Sequence, residues 1–132
     1  MTAILLANAR IFDGESAECA EGMHLLLEQG QIREISSAPI KAGNATTIDV
    51  GGRTVMPGLI DAHIHAYGCD VNVQKIELAG DAYRTAHAAR MFGHALDCGF
   101  TTVRDIGGGD YSLARAIGEG LIRAPRFYYA GK

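Results

Sequence analysis

Cysteine is scarce in this 132-residue chain: Cys19, Cys69 and Cys98 make an odd number with no C-x-x-C pair. A disulfide framework is therefore not expected, and the three read as free thiols of a reducing compartment. Lys and Arg form no run and the formal net charge is −3, so no electrostatic footprint for nucleic acid or an anionic membrane is present. Long apolar runs are lacking too. The longest near the start, Ala3 to Ala7, is far too short to span a bilayer, and no basic segment precedes it as in a secretory signal. The expectation is a cytoplasmic protein with neither a nucleic acid nor a membrane as partner. Internal repeats and low-complexity segments are also missing.

What remains is ordinary for a folded chain, with 48% hydrophobic and 20% charged residues and room for one modest core. Residues 1–57 read as short β-strands. "AILLANARIFDG" is apolar and then alternating, and "MHLLLEQGQIREISS" has two alternating arms around Gln29 and Gly30, as a hairpin would. "TTIDVGGRTVMPG" repeats the pattern around Gly51 and Gly52, a pair suited to a tight turn.

From Leu59 the pattern changes. The strand "LIDAHIHA" leads through a loop to a helix from about Asp81 to Cys98, with Asp81 as N-cap, Gly99 past its end, and Ala82, Ala86, Ala89, Gly93 and Leu96 as its apolar face. A second strand, "FTTVRDI", runs into Gly107, Gly108 and Gly109. The second helix starts near Asp110 or Ser112 with Leu113, Ala116, Ile117 and Leu121 as its stripe, and Gly120 ends it. "RFYYAG" is a third strand. Strands alternating with amphipathic helices predict βαβ units and a parallel sheet.

Within "VMPGLIDAHIHAYG", Asp61, His63 and His65 fall at every second position, so regular alternation puts them on one face and Ile60, Ala62, Ile64 and Ala66 on the other. Open parallel sheets bury both faces. A parallel strand with one polar face fits a closed barrel, whose active-site groups lie near the C-terminal ends of its strands. Imidazoles at i and i+2 have Cα atoms roughly 6.5 Å apart. Both can reach one metal ion at the usual Zn–N distance of about 2.0–2.1 Å.

The same residues resemble the amidohydrolase superfamily, whose metal-dependent members carry P-G-x-I-D-x-H-x-H at the first barrel strand. "GFTTVRDIGG" and "GLIRAPRFYYAGK" are similar to its imidazolonepropionase-like and prolidase-like branch. The resemblance implies an α/β fold: an incomplete (β/α)8 TIM-type barrel, its first two to three βα units, preceded by a small β-sandwich-like domain. Residues 1–57 would be the N-terminal part of a composite β-domain and residues 58–132 the start of the barrel. It further implies His63 and His65 as ligands of a divalent metal, zinc by preference, with Asp61 as a supporting group or part of the strand's inner polar ladder. The substrate would be a small amide, a dipeptide or a cyclic C–N compound.

The later ligands of that branch, a lysine, two histidines and a catalytic aspartate, have no counterpart here, since a full barrel takes roughly 250 residues. Lys132 ends the third strand and is not assigned as the lysine. Asp105 shares a side with Thr101 and Val103, facing the lumen on this reading, but matches no ligand motif. Cys69 reads as a small buried thiol, His24, His87 and His94 as solvated surface, and Gly107 to Gly109 as a flexible loop. The reading is thus the N-terminal portion of a metal-dependent hydrolase, inactive alone. The alternative is a catalytically silent interaction module that pairs with itself or with a complementary chain through its open sheet edges.

Overall fold

Eight residues, Ile4–Ile11, apolar at both ends, form the central strand β1 of a mixed sheet in the computed structural model, which describes residues 3–131. On one side β1 pairs antiparallel with β2 (Ala20–Glu28), Leu5 opposite Leu26. β2 in turn pairs antiparallel with β3 (Gln31–Ser36). The β2–β3 hairpin turns at Gln29 and Gly30, both with positive φ, as a tight two-residue turn of primed type demands.

The segment around Gly51 and Gly52 turns as expected but makes no hairpin. Its arms, β4 (Thr46–Asp49) and β5 (Thr54–Val55), both pair parallel with β1, at Ile4 to Ala7 and at Arg10 and Ile11 respectively. The cause lies in β1. Asn8 has φ 55° there, the register slips between Leu6 and Ala9, and the Asn8 carbonyl accepts the Gly52 N–H at 2.7 Å. Strand five can therefore only resume alongside β1 beyond that irregularity. Leu5, Ala9, Leu25 and Leu26 form the buried part of this unit. A single sheet is present among its described residues rather than two stacked ones.

The chain divides into two compact units, 1–57 and 58–132. The second is built on three parallel strands in the order β6 (Leu59–Ile64), β7 (Phe100–Asp105), β8 (Arg126–Tyr129). Helix α2 (Asp81–Asp97) connects the first two strands and α3 (Tyr111–Gly118) the last two, so the protein is α/β with βαβ connections. Gly58 opens the unit where only a hydrogen fits: a Cβ there would overlap the Thr101 side chain, lying 2.6 Å from its Cβ.

The core comprises Ala66, Tyr67, Ala88, Phe92, Val103 and Leu113, with Phe127 edge-on to Phe92 at 5.3 Å between ring centroids. The buried face of α2 is therefore centred on Ala88 and Phe92. Ala82 and Ala86 are exposed, contrary to the stripe of small residues read from the sequence. Phe92 carries far more apolar area than any alanine, so the helix turns to bury the aromatic ring. Asp81 is the first residue of α2 rather than its cap. Gly80 holds the cap position, and the Asp81 carboxylate pairs with Arg84 one turn on.

Gly99 (φ 91°) follows the end of α2, and Gly120 (φ 75°) ends α3. At α3 the Gly120 and Leu121 N–H groups bond back to the carbonyls of Ile117 and Ala116, the double closure that a left-handed glycine permits. Leu121 lies beyond that turn and is 75% exposed, so it leaves the expected stripe. Asp110 caps α3, accepting the Leu113 N–H at 3.0 Å. A short helix, α1 (Val73–Leu78), occupies what reads as loop in the sequence. Asn72 caps it by accepting from the Gln74 and Lys75 N–H groups, and the helix buries no residue. With no apolar stripe to detect, its cap was the only signal.

Candidate functional site

The end of β6 does not alternate regularly. Asp61 pairs with Val103 and Ile64 with Asp105, so three steps on β6 match two on β7, and the strand bulges at Ala62 and His63. Asp61 and Ile64 therefore lie on the same side, lining a cleft of 290 Å³ with Phe92 and Val103 of the helix-covered face. This corrects the expectation that Asp61 shares a face with the histidines. Ile60, expected against the helices, is 69% exposed.

Asp61 still serves the histidines through the backbone. Its Oδ1 accepts the His63 N–H at 3.0 Å, a donor that the bulge releases from the ladder. Arg104 donates from Nε to the Ala62 carbonyl at 2.9 Å. The peptide group between Ala62 and His63 is thus tied down at both its N–H and its carbonyl by side chains.

His63, near the end of β6, and His65, just past it, are both exposed, and their rings stand edge to face with centroids 5.6 Å apart. The His65 Nδ1 lies 3.3 Å from the Gly107 carbonyl oxygen. Beside His65 opens a cleft of 520 Å³ whose lining includes Tyr67, Val71, Ile76 and Arg84. Arg84 stacks over the Tyr67 ring at 5.2 Å. Burial raises the Tyr67 hydroxyl above the usual tyrosine range, opposed by its hydrogen bond to Thr85.

Asp105 is the group that sequence reading passed over. It is fully buried and faces the helices with Val103, not a lumen. Its Oδ1 accepts the Ala66 N–H at 2.7 Å, and its Oδ2 accepts those of Gly107 and Gly109 at 3.1 and 2.9 Å. One carboxylate thereby joins the segment following His65 to the loop between β7 and α3. Gly109 is required at that point, because a Cβ would meet Asp105 Oδ2 at 2.9 Å and Phe127 Cζ at 2.8 Å. The glycine run is a cradle for a side chain rather than a slack loop. A charged residue at an inward strand position, one residue ahead of three glycines, was the available signal.

His63 and His65 suit a divalent cation in ligand type and in proximity. The Nδ1 contact to a carbonyl is the arrangement that leaves Nε2 free as a ligand. No group of three or more His, Cys, Asp and Glu side chains able to hold a metal occurs among the described residues. The donor set thus fits part of a metal shell. Cys69 is half-buried, its N–H bonded to the Tyr67 carbonyl. His94 lies 3.6 Å from Cys98 Sγ, and the buried Nδ1 of His87 has no partner among the described residues. Lys132 lies outside the described residues.

Comparison with known proteins gives the same direction. The chain is 37% identical over 81 residues to dihydroorotase of Geobacillus kaustophilus, a match covering 61% of this chain and 16% of that protein. A solved amidohydrolase superposes with a TM-score of 0.92 at 38% identity, covering 99% of this chain and 32% of that one. A prolidase solved with N-methylphosphonate-L-proline also gives 0.92, at 34% identity, with 99% and 32% covered. The chain thus spans about a third of the length of these structures. The sequence profile of the Amidohydrolase family matches residues 46–120, more than half of the chain and the whole of the histidine strand, and to that family the chain belongs.

Proposed function

We propose that residues 58–132 form the first βα units of a metal-dependent amidohydrolase barrel, that residues 1–57 contribute to its β-domain, and that His63 and His65 are two ligands of a divalent ion, zinc by preference. The observation that carries this reading is the pairing of the two imidazoles at the C-terminal end of a parallel strand, where barrel enzymes place their reactive groups. When bound, the ion would supply an activated water for attack on a C–N carbonyl carbon. The chain's own residues do the positioning. Asp61 and Arg104 hold the bulge that presents His63, and the cleft beside His65 offers apolar walls next to the Arg84 guanidinium. The prolidase and dihydroorotase among its relatives support a small amide, dipeptide or cyclic C–N compound as the substrate of an intact barrel.

The test is zinc binding by the purified chain, with a His63→Ala, His65→Ala double variant as the control. Binding in the parent and its loss in the variant are expected; equal binding in both would sink the assignment. A second reading, a silent module that pairs its sheet with another strand, draws on the single neighbour of β6 and of β8 and on the exposure of Ile60 and Tyr128. It predicts association that persists in the double histidine variant.

A further inference from the structure

We infer that Asp105 is a positioning residue for His65: through the β7–α3 loop it fixes which nitrogen of that ring carries the proton and which is left free for a ligand. The inference rests on the proposed role of His65. Asp105 Oδ2 holds the N–H groups of Gly107 and Gly109, and Oδ1 holds the N–H of Ala66, the residue next to His65. Both sides of the His65 environment are therefore anchored on one buried carboxylate.

With the N–H groups of Gly107 and Gly109 both held on Asp105, the intervening Gly107–Gly108 peptide is oriented with its carbonyl 3.3 Å from His65 Nδ1 and its N–H on the Gly131 carbonyl at 3.2 Å. A carbonyl only accepts, so the ring must donate there, and Nδ1 carries the proton. Nε2 is then the nitrogen with a free lone pair. Imidazole in water favours the opposite tautomer, with the proton on Nε2, so the arrangement departs from what the free side chain would adopt. His63 provides an internal control, because among the described residues its ring makes no hydrogen bond. Gly109 completes the device by leaving room for the carboxylate, with 2.9 Å between Oδ2 and the site of any added Cβ.

Long-range ¹H–¹⁵N correlation spectra of the metal-free chain, at a pH where the rings are neutral, read the tautomers directly. His65 is expected with a protonated Nδ1 and a bare Nε2, and His63 with the proton on Nε2. A protonated Nε2 at His65 in the parent chain overturns the inference. In Asp105→Ala, provided the Phe92 and Phe127 resonances retain their dispersion, His65 is expected to shift toward the Nε2–H form; retention of Nδ1–H overturns the inference. Should that variant not fold, Gly109→Ala, which crowds the carboxylate without removing it, is expected to give the same shift, and an unchanged tautomer there counts against the inference. Zinc affinity is expected to fall about 10- to 100-fold with the shift. A chain that binds no zinc yet shows Nδ1–H at His65 refutes the metal assignment and leaves the role of Asp105 standing.

Discussion

Replacing Asp105 by alanine leaves the N–H groups of Ala66, Gly107 and Gly109 without their acceptor. Each buried donor so stranded costs about 1–3 kcal/mol, so Asp105→Ala is expected to lose on the order of 3 kcal/mol or more, read from urea unfolding followed by tyrosine fluorescence. Asp13 is a different case. The Ser16 and Glu15 N–H groups and the Ser16 hydroxyl donate to its carboxylate and hold its pKa down to about 2. A depressed carboxylate stabilises the fold above its ordinary pKa of about 3.9, and that contribution is lost as the pH falls through about 2. A carbon-detected titration should place the Asp13 midpoint near 2; a midpoint close to 3.9 would mean that the turn is open in solution. The closeness of the His63 and His65 rings was legible from their spacing. Asp105 was harder to read, because its partners are backbone N–H groups and only the glycines that make room for it mark its place in the sequence.

Among the elements, α2 separates pattern from packing. Its existence and end were readable from length and from Gly99, yet its buried face was not, since alanine and glycine fit either side of a helix and only contact with β7 and β8 selects one. Phe92→Ala should therefore cost about 3–5 kcal/mol, while Ala86→Ser, on the exposed face, should change the melting temperature little. Comparable losses for the two would contradict the packing described. Asp110→Ala removes the cap of α3 and is expected to cost about 1 kcal/mol. Strand β6 teaches the same lesson in another form: its composition announced a strand, but the bulge that sends Asp61 to the helix side depends on register with β7. No single strand's sequence contains that register.

For the whole molecule, the order of the strands and of the two longer helices was legible because period-2 and period-3.6 patterns are separated by glycines. The route of β4 and β5 along β1 was not, because it follows from the unusual backbone at Asn8. No helix among the described residues is long and apolar enough to cross a membrane. The parallel sheet has β6 and β8 as its outer strands, with Ile60 and Tyr128 exposed, a combination that favours edge-to-edge association. Sedimentation velocity should show assembly growing with concentration and reduced by Ile60→Lys; an ideal monomer at every concentration would refute this. The junction between the two units has a consequence of its own. Boundaries between compact units are ordinarily the places that accept substitution and insertion most readily, but here the first residue past the boundary is Gly58, set against the Thr101 side chain. In a map of mutational tolerance, the junction would stand out as a point of refusal. Tags, cleavage sites and fusion partners then have to be spliced in before Pro57, never at the glycine that marks the seam.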